Sequence, residues 1–102
     1  MMWFKRNFEY EVEDVFSLKN GGVVVVGHVK SGTMHTGDKA VLLKGNGIRL
    51  AIDTRIGQME TRVAGQTVPL KKVSKGESAG VLLEGLKKEQ VEIGDRIVSS
   101  NN

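Results

Sequence analysis

Phe8, Tyr10 and Val12 alternate with Glu9, Glu11 and Glu13, the two-residue period of a strand with one face covered and the other wet. Short runs of this kind recur along the chain, separated by turn residues, and few apolar stripes of helical length are present. Thirteen glycines against a single proline, Pro69, supply the turns. At 102 residues the chain holds enough material for one core and no second domain. The fold class expected is all-β.

Adjacent Val15 and Phe16 interrupt the alternation and predict a bulge that carries the first strand round a barrel corner. Lys19, Asn20, Gly21 and Gly22 predict a tight hairpin. Residues 23–29 form a β-branched run broken by Gly27, which reads as a strand covered on both faces or bending at that glycine. A connection is expected from Ser31-Gly32 to Thr36-Gly37-Asp38, then a strand over residues 40–43 and a turn at Gly45-Asn46-Gly47. Ile48, Leu50 and Ile52 alternate with Arg49, Ala51 and Asp53, and another extended stretch runs near residues 56–63. Pro69, Lys71, Lys72 and Lys75 read as a basic, exposed connection into a strand over residues 79–83. Residues 86–92 allow one helical turn, stopped by Gly94 before a last strand over 95–99. The sum is a closed antiparallel barrel of six or seven strands, Greek-key-like, over residues 8–99, with residues 1–7 as an N-terminal extension and 100–102 as a tail.

Several chemistries are disfavoured by what is missing. The chain has no cysteine, so disulfide staples, thiolate metal sites and a cysteine nucleophile are excluded. His28 and His35 are the only histidines, and no ligand-spaced cluster accompanies either, which argues against a metal site. Of Glu9, Glu11, Glu13 and Asp14, strand alternation puts the three glutamates on one wet face rather than in the unlike environments that separate the pKa values of catalytic carboxylates. No strained G-x-S-x-G turn and no phosphate-binding G-x-x-x-x-G-K-[ST] loop occurs, and Gly45-Asn46-Gly47 lacks the following helix of a phosphate cradle. The reading is a non-enzyme without a cofactor. Met1, Met2, Trp3 and Phe4 are followed at once by Lys5 and Arg6, too short a stretch for a membrane span or a signal core, so a cytoplasmic protein is expected.

Two stretches carry a resemblance to a known family. Glu13-Asp14-Val15-Phe16-Ser17-Leu18, a glycine turn and Val24-Val25-Val26-Gly27-His28-Val29-Lys30-Ser31-Gly32 are followed by Gly37-Asp38; Gly76-Glu77-Ser78-Ala79-Gly80-Val81-Leu82-Leu83-Glu84-Gly85-Leu86 leads into Lys87-Lys88-Glu89-Gln90-Val91-Glu92-Ile93-Gly94-Asp95. In this order they resemble the opening hairpin and closing segment of the second domain of translation elongation factor Tu and related translational GTPases, here without the GTPase. The resemblance implies a closed β-barrel, used in that family to contact tRNA, the ribosome or the partner GTPase domain. There are departures. The arginine of the family's glycine turn falls on Gly21, the threonine of its VVTG run on Val26, and the asparagine of its closing segment on Ser78. An acidic residue used beside the aminoacyl end of tRNA matches Gly57, Glu60 or Ala64, in a middle segment longer than that of elongation factor Tu.

The net charge of +3 is mild, but Arg49, Arg55, Arg62, Lys71, Lys72 and Lys75 concentrate in that middle segment and are the candidate RNA-binding residues. They suit backbone-phosphate contacts with RNA or a ribosomal surface. Trp3 and Phe4 beside Lys5 and Arg6 suit stacking on a base or docking a partner, although a terminus of this kind is more often simply packed or disordered. The alternative is a protein-interaction or regulatory module acting through a barrel face or an edge strand.

Overall fold

The computed structural model describes residues 8–45 and 50–100. Eight strands follow one another: β1 (Phe8–Ser17), β2 (Val23–His35), β3 (Lys39–Leu43), β4 (Ala51–Val63), β5 (Gln66–Leu70), β6 (Lys72–Ser74), β7 (Ser78–Glu84) and β8 (Arg96–Ser99), with one 3-10 turn at Lys88–Gln90 before the last. Hydrogen bonding runs β1-β8-β3-β4-β7-β2, and a β1–β2 pairing closes these six into an antiparallel barrel. The two remaining strands are appendages. β5 folds back on the far end of β4, and β6 on the far end of β2.

Alternation decides what goes inside. Tyr10 and Val12 from β1, Val23, Val25 and Val29 from β2, Leu42 from β3, Ile56 and Met59 from β4, Val81 and Leu83 from β7 and Ile97 from β8 are buried together. Burial of each such side chain contributes about 1.5–3 kcal/mol, the gain that offsets ordering the backbone. Tyr10 brings a hydroxyl into this core and donates it to the Ala79 carbonyl at 2.8 Å. Above the ring, Val12 of β1 pairs with Gly27 of β2. A Cβ at Gly27 would stand 1.9 Å from the Glu11 carbonyl oxygen and 3.1 Å from Tyr10 Cζ, so only glycine lets β1 cross β2 this closely.

Several expectations are corrected. The break in β1 falls earlier than Val15-Phe16, with pairing shifting between Val12 and Asp14; the slip turns Val15 toward the core and leaves Phe16 outside. The valine run of β2 is covered on one face rather than both, because Val23 and Val25 are buried while Val26 is exposed. Ser31 and Gly32 belong to β2, where Glu9 and Phe8 pair with them, so the connection shrinks to residues 36–38. The extended stretches around 51 and 56–63 are one strand, β4. The basic connection after Val63 is two strands, with Pro69 inside β5 and Lys72 inside β6. Asn46, Gly47, Ile48 and Arg49, like residues 1–7 and 101–102, lie outside the described residues.

One end of the barrel is closed by polar chemistry. Asp95 carries a side chain only 2% exposed and meets Lys44 Nζ, itself 9% exposed, at 2.6 Å. Its carboxylate also accepts the backbone N–H groups of Gly45 at 2.9 Å and Glu92 at 2.8 Å. A buried charge pair of this kind holds only when its remaining lone pairs find donors. Here they do, and the 3-10 turn is fixed to the end of β3.

Candidate functional site

Arg55, in the barrel part of β4, pairs with Lys39 of β3 and donates its guanidinium to the Gly37 carbonyl at 2.9 Å. Lys71, between β5 and β6, accepts the Thr36 N–H on its own carbonyl at 3.0 Å. Lys72 stands opposite His35. Three of the candidate cations therefore border the β2–β3 turn, joined by Lys39, which sequence reasoning did not single out. Arg62 is elsewhere, near the β4–β5 hairpin tip, where it donates to the Gly65 carbonyl at 3.1 Å. Lys75 sits in the turn after β6, its N–H on the Gly32 carbonyl at 3.0 Å. Arg49 lies outside the described residues. All the described candidates are exposed.

The turn they surround is built from its own residues. Gly37 takes a φ of +91°, and the Asp38 carboxylate accepts the His35 N–H at 2.9 Å, a local bond that an aspartate after such a turn commonly makes. His35 Nδ1 lies 3.8 Å from the same carboxylate and is buried without a hydrogen bond.

The lysines also sit on an edge. Among the described residues β6 pairs only with β2, and β5 only with β4, so there each leaves one side unpaired. Lysine and proline on such edges discourage strand addition. Val63 pairs with Gln66 across a two-residue turn, and Glu60 with Pro69; the alternation of bonded and non-bonded pairs then aims the nitrogen of Pro69 away from β4. Proline blunts one edge and lysines guard the other.

A second surface lies on the opposite side of β4. With β1 slipped by its bulge, Phe16 pairs with Val24, and Val24 with Leu82, giving an outward apolar strip. Phe16 is 49% exposed, Leu18 42% and Val26 38%. Next to it, Val26, Gly80 and Glu60 lie in one row across β2, β7 and β4, and a groove of about 250 Å³ runs between Val26, Glu60, Arg62 and Ser78. The substituted positions Val26 and Ser78 meet here, together with Glu60. Of the three matches for the family's acid, Gly57 is buried in a bulge of β4 and Ala64 sits at the hairpin turn. Glu60 alone faces the groove.

The glutamates of β1 are occupied structurally: Glu9 with Arg96 at 3.1 Å, Glu11 with Lys30 at 3.5 Å and Glu13 with His28 at 2.7 Å. Among the described residues no three metal-ligating side chains gather, and no helix is long and apolar enough to cross a membrane.

Among solved structures, the chain is similar to translation elongation factor SelB from Methanococcus maripaludis in its apo form, with a TM-score of 0.74, 20% identity and 94% of this chain covered. The fold is that of a translation-factor β-barrel. The same factor in complex with the GTP analogue GppNHp gives a TM-score of 0.73 at 20% identity, again over 94% of this chain. This barrel spans 19% of the length of either SelB chain, and no family model matches it.

Proposed function

We propose that this barrel is a non-catalytic binding module of the translation apparatus, one that lies on RNA or on a ribosomal surface through the cations around the β2–β3 turn. The observation that carries the reading is the gathering of Arg55, Lys71 and Lys72, with Lys39, at one turn of a translation-factor-type barrel. Exposed lysines and arginines on a strand surface match phosphate oxygens, which position a protein without reading sequence. Arg49, Arg62 and Lys75 would add outlying contacts. Binding of this type is cytoplasmic in setting and weakens steeply with salt as counterions are exchanged.

Co-sedimentation with ribosomes and binding to bulk tRNA, each at low and moderate salt, test it. The wild-type chain is expected to bind at low salt and to be released as salt rises. A variant with Arg55, Lys71 and Lys72 changed to glutamine is expected to lose most of that binding. Absence of binding to either at low salt would overturn the reading.

The apolar strip of Phe16, Leu18, Val26 and Leu82 favours a second reading, a protein partner docked on the barrel's outer face. Such binding would depend little on salt and would fail when Phe16 and Leu18 are changed to serine.

A further inference from the structure

His35 ends β2 at the cation-bordered turn, and one of its ring nitrogens has nothing to bond. Nδ1 is buried, finds no hydrogen bond among the described residues, and faces the Asp38 carboxylate at 3.8 Å. That separation is too long for a hydrogen bond, and a buried nitrogen left without a partner costs free energy. The same carboxylate accepts the His35 N–H at 2.9 Å, and the Asp38 N–H returns to the His35 carbonyl at 3.1 Å. The backbone thus holds the two side chains together one hydrogen bond short of a closed turn.

A proton supplies that bond. Neutral imidazole has one N–H and imidazolium two, so protonation gives Nδ1 a hydrogen to donate to the carboxylate, at the usual charged-bond length of about 2.8 Å. The charge of the surface changes as well, because imidazolium offsets Asp38, an acid within the ring of cations. The other charges around the imidazole come from the neighbouring strands. Lys72 of β6 stands opposite His35, Arg55 of β4 holds the Gly37 carbonyl, and Lys39 of β3 pairs with Arg55. Glu60 and Lys71 line the same hollow as His35. Phosphate oxygens seated on these cations favour one more positive charge beside them, and linkage then requires proton and polyanion each to promote binding of the other.

We propose that His35 makes RNA binding at the β2–β3 turn proton-linked: the ring takes up a proton as RNA binds, donates it to Asp38, and tightens the complex at lower pH. The inference rests on the RNA reading and adds its regulation. Histidine changes charge between pH 5 and 8, which sets the span over which the link operates. One more charge on the surface steepens the salt dependence by about 0.7–0.9 in log-log slope.

Binding of bulk tRNA at pH 5.5 and pH 8, at one fixed salt concentration, tests the link in the wild-type chain, H35Q and H28Q. The wild-type chain should bind several-fold more tightly at pH 5.5. H28Q, which removes the histidine paired with Glu13, should keep most of that difference, and H35Q should bind equally at both. In a parallel titration without RNA, the backbone amides of residues 36–38 should shift together with the His35 ring. Equal wild-type affinity at the two pH values, or a pH dependence that survives H35Q, would overturn the proton link and leave the RNA reading standing. Amides at 36–38 that stay still while the ring titrates would overturn the bond to Asp38. No binding at either pH would overturn the RNA reading and the link with it.

Discussion

At Asp95 one carboxylate serves the Lys44 ammonium at 2.6 Å and two backbone donors. Asp95→Ala leaves the Lys44 ammonium with the Gln90 carbonyl at 2.7 Å and the Glu92 carboxylate at 3.5 Å but takes the acceptor from two backbone N–H groups, and should cost about 1–3 kcal/mol, read as a fall in the urea midpoint. The paired change Lys44→Met with Asp95→Leu should recover part of that loss. Tyr10 is the other polar group placed inside. Burial pushes its phenol well above the usual tyrosine range, and the Glu13 carboxylate adds to the shift. The unfolded chain therefore releases this proton near pH 10 while the fold retains it, so the contribution is intact below pH 10 and lost progressively above it. Tyr10→Phe should flatten part of the decline in stability above pH 10, and cost about 1 kcal/mol at neutral pH for the hydrogen bond to Ala79. An unchanged alkaline profile in Tyr10→Phe would contradict the burial account. Ala64, at φ +53° before Gly65 at φ +82°, occupies a turn that favours asparagine-glycine. Ala64→Asn should raise stability by about 0.5–1 kcal/mol, seen as a melting temperature several degrees higher.

At the scale of elements, β1, β7 and β8 were legible in the sequence because their faces alternate and glycine turns bound them. Phe8, Tyr10 and Val12 read as inward and are inward. The strip of Phe16, Leu18 and Val26 was not legible, since it depends on which residue the bulge leaves over: a slip at Val12–Asp14 instead of Val15–Phe16 reverses the phase of everything after it. The ends of β2 were hidden for a related reason. Ser31 and Gly32 carry turn-like composition, yet they pair with Glu9 and Phe8, and only tertiary pairing reveals this. Pro69 and Lys72 read as part of a connection because proline and lysine are depleted in central strands; both are common on edges, which is where β5 and β6 lie, while Lys71 and Lys75 do lie between strands. Of the candidate cations, sequence could name the residues but could not tell that Arg55 meets the β2–β3 turn while Arg62 is carried off to the hairpin tip.

At the scale of the molecule, a closed six-stranded barrel offers its outer surface for binding and keeps its interior for packing. That surface is divided. Cations border the β2–β3 turn, an apolar strip lies across β1, β2 and β7, and the β4–β5 hairpin extends beyond the barrel, in keeping with principal extents of 44 × 27 × 20 Å. A partner held mainly by the cations and one held mainly by the strip differ in how binding answers salt, so the choice between them is thermodynamic and needs no structure of the complex. The decisive measurement is the slope of log affinity for bulk tRNA against log salt concentration, for the wild-type chain and for the variant with Arg55, Lys71 and Lys72 changed to glutamine. If these three side chains hold phosphates, the wild-type slope is steep and the variant's is shallower by about 2, since each contact is worth about 0.7–0.9. A shallow wild-type slope, or one that the three substitutions leave unchanged, would contradict the assignment of this turn as the nucleic-acid surface.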